Sequence, residues 1–150
     1  SDDDFEKVRA LALLTRDMLA ERNMECFVKT TGGRGVHVHI PIKKGKTYDV
    51  VKQIAKEFAE QIVTQAPDIA TTEMRKNKRG NKVFIDYLRN DYGMTAVAPY
   101  SLRANQAAGV ATPIHWDELK KKALHAQSFT IHNIQKRINS FKDPWKDVTL

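Results

Sequence analysis

Lys29-Thr30-Thr31-Gly32-Gly33-Arg34-Gly35-Val36-His37-Val38-His39-Ile40-Pro41 is the stretch whose reading decides the fold. Its first half is a loop with three glycines in four residues and a cation at Arg34. Its second half alternates: Val36, Val38 and Ile40 fall on one face, His37 and His39 on the other. Such alternation marks a strand with one buried and one open face. Glycines let a backbone turn tightly and approach a ligand, and consecutive N–H groups in such a turn form an anion-binding concavity. The expectation is a phosphate-sized cradle leading into a strand that presents two imidazoles.

Working outward, residues 25–29 read as a short strand entering the loop, and residues 36–41 as the strand leaving it. Upstream, Val8, Leu11, Ala12, Thr15, Met18 and Leu19 recur at helical spacing and predict a helix over 3–23. Asp3 and Glu6 have capping-box spacing, so the acids at the start suit a helix N-terminus better than a metal. Downstream, the turn Lys43-Lys44-Gly45-Lys46 leads into a helix near 47–65, with Tyr48, Val51, Ile54, Ala55, Phe58 and Ile62 as its apolar face and Pro67 at its end. Arg75-Lys76-Asn77-Lys78-Arg79-Gly80-Asn81-Lys82 places five cations in eight residues. It is a solvated loop or a nucleic-acid contact. It runs into Val83-Phe84-Ile85-Asp86-Tyr87-Leu88, which is rich in strand formers. On such a strand Asp86 shares a face with Phe84 and Leu88 and needs a salt bridge, a metal or water. Residues 94–103 read as extended, then irregular around Pro99. Pro113 and Trp116 suggest a strand end followed by a short helix. Ile131, Ile134 and Ile138 predict a last helix over 131–138, and Trp145 a hydrophobic anchor for the tail.

The chain has 150 residues, 41% of them hydrophobic, which fits one globular domain with a real core. No apolar run approaches the roughly 20 residues of a membrane span, so no membrane partner is expected. The acidic start Ser1-Asp2-Asp3-Asp4 is unlike a secretory signal, and a single cysteine, Cys26, makes no internal disulfide; a cytoplasmic address is the expectation. The net charge of +7 favours a polyanionic partner, nucleic acid first.

Thr31, the glycine-loop amides including Gly33, and Arg34 suit phosphate oxygens, with His37 and His39 beside them; with Arg79 and Arg103 further on, such cations and backbone donors suit a triphosphate, because charge-assisted contacts to phosphate are strong. Asp86 beside them suggests a divalent ion bridging acid and phosphate, although two ions normally require more than one acid. The glycine run lacks the Walker A order, and a strand rather than a helix follows it, so it is no dinucleotide fingerprint. His37 and His39 could ligate zinc with Cys26 or His115, without short ligand spacing to support it, which leaves a zinc-stabilised structural domain as one alternative.

Three segments together resemble the primase-polymerase domain of bacterial DNA ligase D, a member of the archaeo-eukaryotic primase superfamily that serves non-homologous end joining. They are residues 29–38, Val83-Phe84-Ile85-Asp86-Tyr87-Leu88-Arg89-Asn90, and Thr95-Ala96-Val97-Ala98-Pro99-Tyr100-Ser101-Leu102-Arg103-Ala104. Residues 113–119, 129–131 and 143–145 also match. The resemblance implies an α+β fold: a mainly antiparallel, RRM-like sheet with helices on one face and the site on the other. It implies a template-directed nucleotidyltransferase that uses Mn2+ or Mg2+ to extend or fill DNA ends. Nucleoside triphosphates, DNA ends and a template strand are its expected partners, with a ligase domain and an end-binding protein beside them, at the bacterial nucleoid. Thr31 stands where the family has a phosphate-binding serine. Arg34, His37 and Arg103 match triphosphate-binding positions, and Asp86 the third metal-binding aspartate. Arg75, Lys76, Lys78 and Arg79 would face nucleic acid. Arg89 stands where some members have glutamine. The family's Asp-x-Asp pair should fall before residue 1, with Asp2, Asp3 and Asp4 at the helix start that follows it. The chain then corresponds to the C-terminal two-thirds of such a domain, poorly active by itself, and a non-catalytic nucleic-acid-binding module is the alternative.

Overall fold

The computed structural model describes residues 2–146 and 148. The chain divides into two compact units, Ser1–Pro41 with Val97–Leu150, and Ile42–Ala96.

The first unit is built on a three-stranded antiparallel sheet. Its order is β2 (Val36–His39), β1 (Phe27–Thr30), β5 (Thr112–Ile114). Register follows from the alternation. Val28 pairs with Val38 and Ile114, while Lys29 pairs with His37 and Pro113. Residues directly opposite share a face. Val28, Val36, Val38 and Ile114 therefore line one side, where they meet Phe5 and Ala12 of α1 (Asp2–Ala20), Leu119 of α3 (Trp116–Leu119), Leu124 and Ala126. Phe27, Lys29, His37 and His39 line the other side. The expected arrangement of helices on one face and polar groups on the other is what this unit has. Leu11, Ala12, Met18 and Leu19 of α1 are buried, as their spacing predicts. The Asp3 side chain, expected as a cap, lies outside what the structure describes; Glu6 pairs with Arg9.

Two buried arginines stitch this unit together. Arg9 donates to the carbonyls of Leu119 (2.7 Å), Lys121 (3.0 Å) and Leu124 (2.6 Å), satisfying oxygens left open where α3 ends. Arg137, on α4 (Ile134–Ser140), grips both carboxylate oxygens of Glu118 at 2.6 and 2.9 Å and donates to the Pro113 carbonyl. Here the sequence reading of the last helix is corrected. It begins at Ile134 rather than 131, and Ile131 and Ile138 are each 49% exposed. The buried side chain is Arg137, because its bidentate pair with Glu118 turns the isoleucines outward. Trp145 is an anchor as expected: its indole N–H donates to the Val28 carbonyl at 3.2 Å.

The second unit holds α2 (Tyr48–Gln65), capped by Thr47, and a two-stranded parallel pair, β3 (Ala70–Thr71) and β4 (Val83–Phe84). The predicted strand over 83–88 is therefore shorter. The ladder ends where the Ile85 N–H meets the Thr71 carbonyl, because Thr71 Oγ1 takes the Glu73 N–H and turns the partner chain away. Asp86 lies beyond the strand, and the shared face with Phe84 and Leu88 does not form.

Replacing Arg137 by Ala leaves Glu118 in a part-buried site without its cation. The expected loss is about 3–5 kcal/mol, read by urea denaturation, with a smaller loss in the Arg137→Met, Glu118→Gln double variant.

Candidate functional site

The first unit brings the loop, the imidazole strand and residues 97–110 together. Thr31 organises the loop. Its hydroxyl lies 3.0 Å from the Gly35 carbonyl, to which it donates, and it accepts the Gly33 and Gly35 N–H groups at 3.2 and 3.3 Å. The loop amides thus converge on Thr31 Oγ1, and the concavity expected for an anion is filled by the loop's own hydroxyl. Arg34 stands exposed at the loop tip.

The loop is locked to the chain after Arg103. Gly32 has φ 65°, and a Cβ there would lie 2.9 Å from the backbone of Gly109 and Val110. A Cβ on Gly109 would lie 2.2 Å from the Gly32 carbonyl oxygen. Asn105 Nδ2 donates to that same oxygen at 2.8 Å, and the Arg103 N–H donates to the Gly109 carbonyl at 2.8 Å. Two segments far apart in sequence are thereby held backbone to backbone, with Arg103 at their junction.

Lys29 lies on the His37 face and is fully buried. Its ammonium donates to the Val97 carbonyl. Burial, and then the nearby Arg103 charge, pull its pKa down to about 8. Among the described residues neither Lys29 nor Arg103 forms an ion pair. One step further from the loop, the His39 ring packs edge-on against Trp145 at 4.8 Å, and Phe27 meets the same indole at 6.3 Å. His39 Nε2 is buried without a hydrogen-bond partner among the described residues. Burial first, then Lys29 and His37, lower its pKa to about 4. Trp145 therefore covers the Phe27–His39 end of the face, while the Lys29–His37 pair lies at the loop end. A buried ammonium with an arginine beside it and no carboxylate is electrostatically unbalanced, and an anion is the ligand that corrects it.

The remaining predicted residues belong to the second unit. Asp86 Oδ1 accepts the Leu88 N–H at 3.0 Å, and Oδ2 lies 3.8 Å from Arg89 Nε, with 42% of the side chain exposed. The carboxylate is open to solvent. Among the described residues no group of three or more His, Cys, Asp or Glu is gathered to hold a metal, so the zinc alternative has no site there. Arg75, Lys76 and Lys78 are exposed on a loop with a single 3-10 turn at Lys76–Lys78. Arg79 instead commits its guanidinium to the carbonyls of Glu73 and Met74, both at 2.8 Å, and sits 3.8 Å over the Phe84 ring. It shapes the loop that carries the other cations.

Sequence reasoning assigned no role to Lys29, Asn105 or Gly109. Lys29 was readable, since it sits two residues from Phe27 on the strand facing His37. Gly109 was not, because only the fold brings it to Gly32.

The family model for the LigD primase-polymerase domain matches residues 1–145. The chain belongs to this family. LigD relatives are similar along most of it. The multifunctional non-homologous end joining protein LigD of Pseudomonas aeruginosa is 30% identical over 136 residues, covering 89% of this chain and 16% of the relative. The bifunctional LigD of Bacillus subtilis is 30% identical over 148 residues, covering 98% and 24% respectively. The chain thus spans a quarter or less of these relatives' length. The polymerase domain from Mycobacterium tuberculosis ligase D in complex with DNA superposes with a TM-score of 0.86 at 31% identity, over 93% of this chain and 48% of that one. The primase-polymerase α+β fold expected from the motifs is therefore the fold of this chain. No helix among its described residues is long and apolar enough to cross a membrane.

Two outcomes test the geometry. Gly109→Ala forces two backbones apart and should cost about 3 kcal/mol, measured by denaturant unfolding. For His39, the unfolded chain binds more protons than the folded one between pH 6.5 and about 4. Stability should therefore fall with acid across that window, and His39→Gln should flatten this part of the profile. Superimposable profiles would show that this imidazole is not held neutral.

Proposed function

We propose that this chain is part of a template-directed nucleotidyltransferase domain that extends or fills DNA ends in double-strand break repair by non-homologous end joining, within a ligase D system. The observation that carries this reading is the sheet face where buried Lys29 lies opposite His37, with the exposed Arg103 close enough to depress the lysine's pKa and, among the described residues, no ion pair to either cation. A nucleoside triphosphate supplies the missing negative charge. In this reading Arg103 and Arg34 bind phosphate oxygens, His37 donates to them, and Thr31 and Gly33 set the loop's shape against the triphosphate. Arg103 is a bidentate donor, which fixes orientation as well as charge. Lys29 holds the Val97 carbonyl, and so positions the segment from which Arg103 reaches the phosphate. The exposed Arg75, Lys76 and Lys78 would contact the DNA backbone, an affinity that falls with salt. The LigD family membership and the DNA complex of the mycobacterial relative support the class of reaction and partner.

Asp86 is proposed as one ligand of a Mn2+ or Mg2+ ion, which would offset phosphate charge during transfer. A single carboxylate does not make a two-metal centre. The contribution assigned to the described residues is accordingly to bind and orient the triphosphate and the template-primer. The net charge of +7 and the exposed Arg75, Lys76 and Lys78 favour a second reading, a basic module that holds nucleic acid without transferring nucleotides.

The two readings separate in one assay. The protein encoded by the full gene is given a primed DNA end, a nucleoside triphosphate and Mn2+, and incorporation is followed by gel. The first reading expects incorporation, a loss of at least about a hundredfold in Asp86→Ala, and a raised KM for the nucleotide in Arg103→Ala. Salt-sensitive DNA binding without incorporation, or incorporation indifferent to Asp86→Ala, would favour the second.

A further inference from the structure

The second unit carries an exposed aromatic pair that the catalytic reading does not use. Tyr48 opens α2 and Tyr92 lies in the turn after Asn90; their rings meet at 5.6 Å with a 78° interplanar angle. They are 58% and 79% exposed. The pair is built rather than accidental. Tyr48 and Lys52 share one face of α2, four residues apart. Asp91 uses both oxygens: Oδ2 reaches that face and pairs with Lys52, while Oδ1 accepts the N–H of the adjacent Tyr92 at 2.8 Å. One carboxylate thus fixes the backbone of Tyr92 against the helix and sets its ring on Tyr48.

The surroundings are basic. Lys43, Lys44 and Lys46 are exposed in the five residues before Tyr48. Asp91 is already neutralised by Lys52, which leaves Asp49 as the acid on the first turn of α2. Aromatic faces held rigidly beside flexible cations make a stacking platform for unpaired bases, with the cations following the phosphates. A duplex keeps its bases stacked on one another and offers such rings nothing. A protein partner is disfavoured by the adjacent lysines, a residue type depleted at protein–protein interfaces.

We propose that Tyr48 and Tyr92, with Lys43, Lys44 and Lys46, form a binding site for single-stranded nucleic acid, in which an unpaired base stacks on the open face of Tyr92. This deepens the nucleic-acid part of the function proposed above and is independent of its catalytic part, because stacking requires neither nucleotide nor metal.

The test is fluorescence anisotropy of the whole chain with a labelled single-stranded 12-mer, and with the blunt duplex of the same sequence, without metal or triphosphate. Tyr92→Ala should weaken single-strand binding roughly tenfold and Tyr48→Ala roughly fivefold, with duplex binding within about twofold of the parent in each case. Tyr92→Phe, which keeps the ring, should bind within about twofold of the parent. The salt dependence of single-strand binding should be unchanged in Tyr92→Ala and shallower when Lys43, Lys44 and Lys46 are replaced by Ala. At 79% exposure Tyr92 can be replaced without opening the core. Single-strand binding unaffected by both alanine variants, an equal loss on duplex, or no single-strand binding by the parent chain would each overturn the proposal. If the alanine variants behave as expected while the full protein incorporates no nucleotide, the catalytic reading fails and this one stands.

Discussion

The site in the first unit depends on a place where two backbones touch. Gly32 and Gly109 cross so closely that neither position has room for a Cβ. No side chain makes this contact, so none can relax to accommodate a change in it. Asn105 closes the crossing by donating to the Gly32 carbonyl, and Arg103 is bonded through its own N–H to Gly109. The consequence is positional. A cation that would otherwise swing on an irregular loop is fixed relative to the glycine turn and to the strand that leaves it. Thr31 performs the complementary task inside the loop, where it takes two amide hydrogens and returns its own to Gly35. The loop is rigid by internal bonding, and its phosphate affinity, in the proposed reading, comes from side-chain cations rather than from free amides.

The electrostatics follow from the same frame. Strand pairing puts Lys29 opposite His37 on the face away from α1, and the segment beginning at Val97 covers the lysine. An ammonium placed there loses water without gaining a carboxylate, and Arg103 adds to the imbalance. His39, one pair further along, escapes the same cost by remaining neutral beneath Trp145. The two ends of one strand face thus have different characters: a charged end beside the glycine loop, and a neutral end sealed by an indole. In the proposed reading, that asymmetry gives a triphosphate one place to go.

Much of this was legible in the residues. The alternation from Val36 to His39 announced both the strand and its two faces, and the apolar stripe of α1 announced what would cover one of them. The motifs at 29–38, 83–90 and 95–104 pointed to the family before any geometry was known. What local pattern could not supply was partnership. The run Val83 to Leu88 has the composition of a long strand, yet it pairs over two residues because β3 offers no more edge. The isoleucines of the last helix have the right spacing for burial, but a buried Arg137 paired with Glu118 decides which way the helix faces. Gly109 has no local signature, since its importance exists only where Gly32 meets it. Arg79 looked like one more cation in a basic loop, and its place over Phe84 is likewise a property of the folded chain.

The central claim is that the face bearing Lys29, His37 and Arg103 is where a nucleoside triphosphate sits. Isotope-edited NMR of the side-chain nitrogens, with a non-hydrolysable triphosphate titrated into the protein, tests it most directly. The account predicts that the His37 imidazole, the Lys29 ammonium and the Arg103 guanidinium shift together in a saturable manner, with Lys29 gaining protonation at pH 8 as the anion binds. Saturable shifts confined to Arg75, Lys76 and Lys78, with those three nitrogens unmoved, would contradict it.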